Sequence, residues 1–328
     1  MPALSLSEAQ DLVAAALVRC RTGEDNARSV ARALVAAEAD GLKGHGLSRV
    51  PTYAAQAKAG KVDGFAVPAL SRLRPGVVAI DAAHGFAYPA LDAAVAALPE
   101  AARAQGLAAA AIRRSHHCGA AGHPVERLAE AGLVALLFAN TPAAIAPWGG
   151  AKAVFGTNPI AFACPLPDAP PIVVDLSVSK VARGNILAAK QKGEAIPEGW
   201  ALDEAGRPTT DPEAALKGTM LPLGDAKGTA LALMVELLAA GLTGANFAAE
   251  ASSFLDAEGP PPGTGQLILA FDPGAFGGGP ARFAALARAI ADQPGARLPG
   301  ARRLALRRKA QAEGLSVADA LLAEIARL

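Results

Sequence analysis

The sequence is poor in cysteine and has almost no net charge. Its three cysteines, Cys20, Cys118 and Cys164, are too few and too scattered for a disulfide framework or a paired-cysteine metal site. The 31 Lys and Arg residues nearly cancel the 30 Asp and Glu residues, so no strong field attracts nucleic acid or anionic lipid. We therefore expect a reducing compartment, the cytoplasm, and no nucleic-acid partner.

The sequence also lacks an apolar run long enough for a membrane. The longest run, residues 229–242, is interrupted by Glu236 and is shorter than the roughly 20 residues that a spanning helix needs. The opening MPALSLSEAQ has no basic segment followed by an apolar one, so we expect no secretion signal. We expect a soluble chain that does not bind membranes.

Two phosphate-binding motifs are missing as well. A doubly wound nucleotide-binding domain shows G-x-G-x-x-G between a strand and a helix, and a P-loop shows G-x-x-x-x-G-K-[ST]. Neither pattern occurs in the chain. An ordinary Rossmann dehydrogenase and a P-loop enzyme are both disfavoured, and any nucleotide must be held by another arrangement.

Hydrophobic spacing divides what is present into three regions. Residues 1–70 are predicted to form a helical domain, which begins with a capping box of Ser5 and Glu8. Residues 71–272 are predicted to form a sheet domain, because short β-rich runs are bounded there by Gly, Pro or Asn. Residues 273–328 are predicted to be a helical segment that packs on the N-terminal helices.

Six further stretches have helical spacing: residues 25–39, 50–59, 89–105, 227–240, 281–291 and 301–328. We expect the last one to break at Gly314 and to restart with Ser316 as its N-cap. Residues 197–216, PEGWALDEAGRPTTDPEAAL, are polar and have no clear period. They are predicted to form a loop or an edge element.

The segment KGHGLSR, residues 43–49, places one of only five histidines between two glycines. Two interpretations are open. His45 is either a solvated ring on a glycine turn, or a proton-transfer group beside the fixed cation of Arg49 that suits an anionic substrate.

A second cluster is SHHCGAAGH, residues 115–123. Its small residues allow backbone N–H groups to approach an anion, which favours a loop that holds a phosphate or a ribose. A metal site is disfavoured, because no carboxylate or further ligand recurs at a suitable spacing. A turn with one buried histidine is an equally weighted alternative.

Polar groups at predicted strand ends form a third set. Thr157, in the turn GTNP, can direct its hydroxyl at a ligand, although from spacing alone a tight connection between two strands is favoured. Asp175 ends an apolar strand and is followed by Ser177 and Ser179, where ligands often meet a sheet. Residues 183–185, Arg-Gly-Asn, are predicted to be a second polar corner.

Cations near two predicted helix starts complete the candidates. Lys227 begins a long helix, where its charge adds to the positive end of the helix dipole. Arg302 and Arg303 follow a Pro-Gly turn and can pair with a phosphate. The alternative for each is an ordinary helix start with solvated cations.

Taken in order, these clusters resemble the malate/L-lactate dehydrogenase family of the non-Rossmann type. The family pattern of an S-H-G-x-x-R loop, S-x-H-x-G-A-A-G, A-P-W-G-G followed by G-T-N-P, D-x-[AS]-x-S, G-x-x-K-G and a late P-G is met from about residue 38 to 303. Within that family, residues 224–247 and RLPGARR, residues 297–303, are most similar to the ketimine reductases. The resemblance implies an α+β fold with a non-Rossmann NAD(P)-binding domain, whose mostly antiparallel sheet is flanked by N- and C-terminal helices, and a homodimer.

The resemblance also implies roles for residues. His45 is the expected proton donor, with Asn185 at the position of a group that assists it. The expected substrate contacts are Arg49, which clamps a carboxylate, and Thr157, Arg183 and Gly184. The expected cofactor contacts are His117, Cys118, Gly119, Ala120, Ala121, Asp175, Leu176, Ser177, Ala226, Lys227, Arg297, Leu298, Pro299, Gly300, Ala301, Arg302 and Arg303. Arg302 and Arg303 favour a 2′-phosphate, so NADP(H) is the expected cofactor, with NAD(H) as the alternative.

Two positions depart from the family pattern. Ketimine reductases carry a serine just before the histidine and an aspartate after the strand end, and this chain has Gly44 and Asn185 there. Asn185 can orient an imidazole but cannot stabilise its cation as a carboxylate does.

The expected activity is therefore NAD(P)H-dependent reduction of small cyclic ketimine carboxylates. The alternative is NAD-dependent oxidation of a 2-hydroxy acid such as malate, lactate, sulfolactate or ureidoglycolate. A third possibility is a cofactor-binding protein that has lost catalysis.

Overall fold

The computed structural model describes residues 4–328, and its N-terminal part is helical. Helices α1 (Leu6–Arg19), α2 (Glu24–Ala39) and α3 (Val50–Ala59) lie in this part. The predicted capping box is confirmed, because the Glu8 N–H donates to Ser5 Oγ and the Ser5 N–H donates to the Glu8 carboxylate. Two short 3₁₀ turns, Lys43–His45 and Leu47–Arg49, connect α2 to α3.

Ten strands follow: β1 (Ala69–Arg74), β2 (Val77–Asp81), β3 (Leu107–Ser115), β4 (Val134–Ala139), β5 (Ile160–Leu166), β6 (Ala169–Leu176), β7 (Ala201–Leu202), β8 (Pro208–Thr209), β9 (Thr219–Met220) and β10 (Thr264–Phe271). Seven of them form one sheet in the order β1-β2-β3-β10-β4-β5-β6. Only β2 and β3 are paired in parallel, so the prediction of a mostly antiparallel sheet is confirmed.

Eight more helices complete the described chain: α4 (Ala87–Gln105), α5 (Gly122–Glu130), α6 (Arg183–Lys192), α7 (Pro212–Lys217), α8 (Ala226–Glu236), α9 (Pro280–Ala291), α10 (Ala301–Glu313) and α11 (Asp319–Arg327). Helix α4 is the crossover between the parallel strands β2 and β3. Helix α10 contacts α2, and α11 contacts α1 and α3. The three-domain division itself stays a prediction.

The middle of the large sheet is covered on both faces, as β4 illustrates, whereas the edge strand β1 is exposed along its whole length. Ala135 and Leu137 join the main core with α1, α2, α4 and α5, whereas Leu136 and Phe138 face the layer of α8 and the π turn that follows it. This alternation is the period of a strand that is buried on both sides. Among residues 4–328, no helix has both the length and the hydropathy to cross a membrane.

Two local predictions were wrong. Residues 183–185 are the first turn of α6 and not a polar corner. Ser316 does not cap α11, because that helix begins at Asp319 after Ala318. The helix predicted over 227–240 is confirmed: it is α8 up to Glu236 and continues without a break as a π turn, Leu237–Gly241.

The polar segment 197–216 contains more structure than the sequence indicated. Strands β7 and β8 and helix α7 lie in it, and β9 joins the two strands in a small three-stranded sheet. Each strand there has only two residues, which is too short for a period-2 pattern to be visible.

Candidate active site

The loop that carries His45 is shaped by Glu38. The Glu38 carboxylate accepts the Leu47 N–H at 3.0 Å, and a Cβ at position 46 would collide with that same carboxylate. Glycine is therefore required at Gly46. Position 44 differs, because an added Cβ there meets no atom within 4 Å.

Arg49 lies across the same loop. Its Nε donates to the Gly44 carbonyl oxygen at 2.7 Å, which fixes the guanidinium beside His45. Within residues 4–328 the two terminal nitrogens of Arg49 have no hydrogen-bond or carboxylate partner. A planar guanidinium with both terminal nitrogens available suits bidentate binding of a carboxylate.

The His45 ring is held neutral. Burial lowers the pKa of His45 to about 4, with further contributions from the positive charge of Arg49 and from His123. Its Nδ1 is buried and has no hydrogen-bond partner in the described chain. A carboxylate that binds Arg49 would offset one of these charges and make His45 easier to protonate.

His117 lies directly against His45. The two rings stack at a centroid distance of 5.2 Å with 18° between their planes. His117 Nδ1 is 2.6 Å from the Tyr53 hydroxyl, which is 3.2 Å from the Tyr88 hydroxyl. Burial lowers the pKa of His117 well below its usual value, so this ring is neutral too. Phe254 packs on His117 at 5.3 Å.

The other two histidines of the SHHCGAAGH cluster point elsewhere. His116 is enclosed by Tyr53, Phe86 and Phe254, and both its ring nitrogens are buried without a partner. His123 pairs with Asp40 at 2.9 Å. The described residues contain no group of His, Cys, Asp and Glu that could hold a metal.

The segments predicted to contact a cofactor meet at one place. The Gly122 N–H, at the end of the loop 117–121, donates to the Asp175 carboxylate at the end of β6 at 2.7 Å. A Cβ on Gly300 would lie 3.6 Å from the Val173 carbonyl oxygen of the same strand. The loop, the strand end and the turn before α10 therefore adjoin one another.

The turn with Thr157 and the loop before α8 join the same region. The Val178 N–H donates to the Thr157 carbonyl at 2.9 Å, and the Leu223 N–H donates to the Val178 carbonyl at 2.9 Å. Ser177 donates to Ser179 at 2.9 Å, because the Ser179 hydroxyl donates its own proton to the Val181 carbonyl.

Buried polar groups that the sequence did not indicate hold the Thr157 turn. The Thr157 N–H donates to Thr141 Oγ1 at 2.8 Å. The fully buried Asn158 donates to the Glu236 carboxylate at 2.7 Å, and Asn140 donates to the same carboxylate at 3.1 Å. This network connects the turn to α8 and rigidifies it.

Three exposed cations lie on or next to the segments that adjoin here. Lys227 is the second residue of α8, and Arg297 and Arg302 flank the Pro299–Gly300 turn. None of the three has a carboxylate partner in the described part of the chain. Unpaired cations beside a helix N-terminus and a backbone loop suit the phosphates of a dinucleotide.

Arg303, one of the predicted phosphate contacts, is bound by two carboxylates within the chain. Its guanidinium lies 2.9 Å from the Asp40 carboxylate and 2.8 Å from that of Glu126, and Arg307 binds the same two carboxylates. This ion-pair cluster joins α2, α5 and α10. Arg303 is therefore not a free cation.

Cys118 is buried, whereas the predicted site residues on α6 are half-buried or exposed. Burial raises the pKa of the Cys118 thiol to about 12, so only the backbone of this residue suits ligand binding. Arg183 is half-buried, with an unpartnered Nε and one bond from its guanidinium to the Leu216 carbonyl at 3.3 Å. Gly184 and Asn185 are exposed, and Asn185 shares no hydrogen bond with His45 in residues 4–328.

One cavity, of about 710 Å³, is lined by neither His45 nor Arg49. It lies behind the loop 117–121, between α2, α4, α5 and α10, and Tyr88 and Cys118 form part of its lining. The candidate site is instead where the His45 loop meets the predicted cofactor loop, at the stacked rings of His45 and His117.

A titratable ring next to a guanidinium with free terminal nitrogens, together with unpaired cations on the adjoining segments, would suit small anionic ligands. The sequence profile of the malate/L-lactate dehydrogenase family matches residues 4–326, and the chain belongs to this family of oxidoreductases. The predicted resemblance is thereby confirmed.

Individual relatives are similar over nearly the whole chain. The (2R)-3-sulfolactate dehydrogenase (NADP(+)) of Chromohalobacter salexigens is 53% identical, with 98% of this chain and 96% of the relative covered. The Δ1-pyrroline-2-carboxylate reductase of Ancylobacter novellus is 42% identical, with 98% and 96% covered. The crystal structure of Δ1-piperideine-2-carboxylate reductase from Pseudomonas syringae pvar. tomato has a TM-score of 0.94 at 39% identity and covers 100% of this chain and 99% of that one.

Proposed function

We propose that this protein is an NAD(P)H-dependent reductase of small cyclic ketimine carboxylates, which converts Δ1-pyrroline-2-carboxylate or Δ1-piperideine-2-carboxylate to L-proline or L-pipecolate. The observation that carries the proposal is the placement of His45 and of the free terminal nitrogens of Arg49 on one loop. The reductase relatives named above, in sequence and in structure, support the choice of substrate class.

Arg49 binds the substrate carboxylate through two charge-assisted hydrogen bonds and so fixes the adjacent C=N carbon. His45 then supplies the proton that the product nitrogen needs. Substrate binding prepares this step, because the carboxylate offsets the Arg49 charge that helps to keep His45 neutral. We propose Thr157 and, at the start of α6, Arg183 and Gly184 as further substrate contacts.

The residues fit a dinucleotide cofactor. The loop 117–121, the strand end 175–177, Lys227 and the turn 297–302 would hold it, with unpaired cations for its phosphates. When bound, the nicotinamide supplies the hydride. We propose NADP(H) with Arg302 as the contact of the 2′-phosphate, since Arg303 is engaged by Asp40 and Glu126.

A second candidate function is NADP-dependent oxidation of a sulfonated 2-hydroxy acid. The 53% identical relative named a sulfolactate dehydrogenase favours it. Arg183 favours it as well, because this guanidinium has no carboxylate partner among the described residues and a doubly charged substrate needs a second cation. In this direction the neutral His45 acts as the base.

The test is turnover of the purified chain with a panel of cyclic ketimines and 2-oxoacids, 3-sulfopyruvate included, each with NADH and NADPH. We expect NADPH consumption with Δ1-pyrroline-2-carboxylate or Δ1-piperideine-2-carboxylate and poor turnover of pyruvate and oxaloacetate. Preferential turnover of 3-sulfopyruvate would establish the second candidate. Tight NADPH binding without turnover of any compound would establish a non-catalytic protein.

We further propose a homodimer in the cytoplasm. Leu233 on α8, Leu237 in its π turn and Leu242 just after that turn are exposed, and Leu242 is 66% exposed in the single chain. A helix that is apolar on all sides is normally covered. Light scattering of the purified chain is expected to give twice the monomer mass, and a monomer would refute this part of the proposal.

A further inference from the structure

We propose that Tyr53, acting through His117, positions the His45 ring in place of the serine and aspartate that the resemblance implies and this chain lacks. Tyr53 is a positioning residue, because it contacts His117 and not the reacting atoms. The inference rests on the proposed function, in which His45 transfers the proton.

Nothing on its own loop orients the His45 side chain. Glycines precede and follow it, the Nδ1 atom has no partner, and Asn185 forms no hydrogen bond with it in the described chain. The ring that lies parallel to it, 5.2 Å away, is His117. The orientation of His45 is therefore determined mainly by the face that His117 presents.

The hydroxyl chain fixes His117. The only hydrogen-bond partner of the Tyr88 hydroxyl among residues 4–328 is the Tyr53 hydroxyl, so Tyr88 donates to Tyr53. Tyr53 then has its own proton free to donate to His117 Nδ1 at 2.6 Å. The opposite direction would leave the Tyr88 proton without an acceptor among residues 4–328, which is costly for a hydroxyl in a buried pair.

This direction determines the tautomer of His117. An Nδ1 atom that accepts from Tyr53 puts the ring proton on Nε2, which has no hydrogen-bond partner among the described residues. Burial raises the pKa of Tyr53 to about 12, so its hydroxyl stays protonated and keeps donating. The His117 ring is therefore neutral and held by the Tyr53 hydrogen bond, and His45 stacks against it. Because His117 is neutral, it adds no second imidazolium charge next to Arg49.

Tyr53→Phe removes the donor and keeps the aromatic ring. Tyr88→Phe is the matched variant, because it removes one buried tyrosine hydroxyl from the same chain and leaves the bond between Tyr53 and His117. Nitrogen NMR of the ¹⁵N-histidine-labelled protein, with five histidines to assign, reads the tautomer of His117 and the environment of His45 directly.

We expect wild-type His117 to carry its proton on Nε2. In Tyr53→Phe the His117 tautomer and the chemical shifts of the His45 ring nitrogens should change. In Tyr88→Phe the tautomer and these chemical shifts should remain those of the wild type. With the preferred substrate, kcat should fall roughly 5-fold in Tyr53→Phe, the loss typical of one neutral hydrogen bond. The KM for the substrate and the KM for NADPH should both stay within about 2-fold of their wild-type values.

A wild-type His117 with its proton on Nδ1 would overturn the proposal without any variant. Equal changes in the two variants would overturn it as well, since they would indicate general loss of core packing. An absence of turnover in the wild-type chain would refute the proposed function, and the NMR result would still decide whether Tyr53 positions the two rings.

Discussion

Replacement of Arg49 by Gln tests the carboxylate clamp. The structure gives Arg49 one internal bond, from Nε to the Gly44 carbonyl at 2.7 Å, and leaves its two terminal nitrogens for the substrate. Two hydrogen bonds to a charged group at the low end of about 1.5 kcal/mol each amount to about 3 kcal/mol. That loss corresponds to a fall of roughly 150-fold in kcat/KM, carried mainly by a higher substrate KM.

The same substitution has a second effect, on His45. Burial is the largest cause of its low pKa and persists in the variant, whereas the positive charge of Arg49 is removed. The pKa of His45 should therefore rise from about 4 and remain below its ordinary value. A titration of the histidine NMR signals measures this shift independently of activity.

Two variants and one binding measurement serve as controls. Arg49→Lys keeps the charge but not the planar fork, so it should recover only part of the loss. Ser48→Ala removes the 2.6 Å bond from Ser48 to the Lys43 carbonyl and tests whether any disturbance of this loop has the same effect. NADPH affinity should be unchanged in all three. An unchanged substrate KM in Arg49→Gln, or an equal loss in Ser48→Ala, would refute the clamp.

Three further variants test the rest of the account. His45→Ala should lower kcat by about 100-fold or more, as loss of a general acid does, with NADPH affinity unchanged; an active variant would remove His45 from proton transfer. Gly46→Ala should lower the free energy of unfolding by about 1–3 kcal/mol, because the new Cβ collides with the Glu38 carboxylate, and denaturant unfolding measures this. Arg303→Ala should lower stability by roughly 1–3 kcal/mol at pH 7, with little change in the KM for NADPH. Burial alone would raise the pKa of Asp40, but hydrogen bonds from Arg307, His123 and Arg303 outweigh it and hold this pKa well below its usual range. The stabilisation by the Asp40 pairs is therefore complete above about pH 4 and is lost as the pH falls further, so thermal unfolding should show the difference between Arg303→Ala and wild type shrinking in acid. A large rise in the KM for NADPH in Arg303→Ala would return Arg303 to the cofactor site.

The sequence predicted best what is local in the chain. His45 and Arg49 are four residues apart, so their joint presence on one loop is visible without a structure. The Ser5 cap and the alternating strands of the large sheet are local patterns of the same kind. The ordered family motifs supplied the remaining assignments, whose roles in binding stay predictions.

Contacts between distant residues were beyond the reach of sequence patterns. Tyr53 and His117 are 64 positions apart, and Tyr53 on its helix has the spacing of an ordinary core aromatic residue. Arg303 likewise follows a Pro-Gly turn at a helix start, which is the pattern of a phosphate contact. Only the fold shows that it binds Asp40, which lies 263 positions earlier in the chain. The strands β7 to β9 were not predicted, because each has only two residues and a two-residue strand shows no alternating pattern.

The central claim is reduction of a C=N bond next to a carboxylate. The most direct test compares kcat/KM for NADPH oxidation by Δ1-pyrroline-2-carboxylate or Δ1-piperideine-2-carboxylate with kcat/KM for NADPH oxidation by 3-sulfopyruvate, on one preparation. The account predicts that the better ketimine is preferred by at least about 10-fold, roughly 1.4 kcal/mol in the transition state. A preference of that size for 3-sulfopyruvate would contradict it.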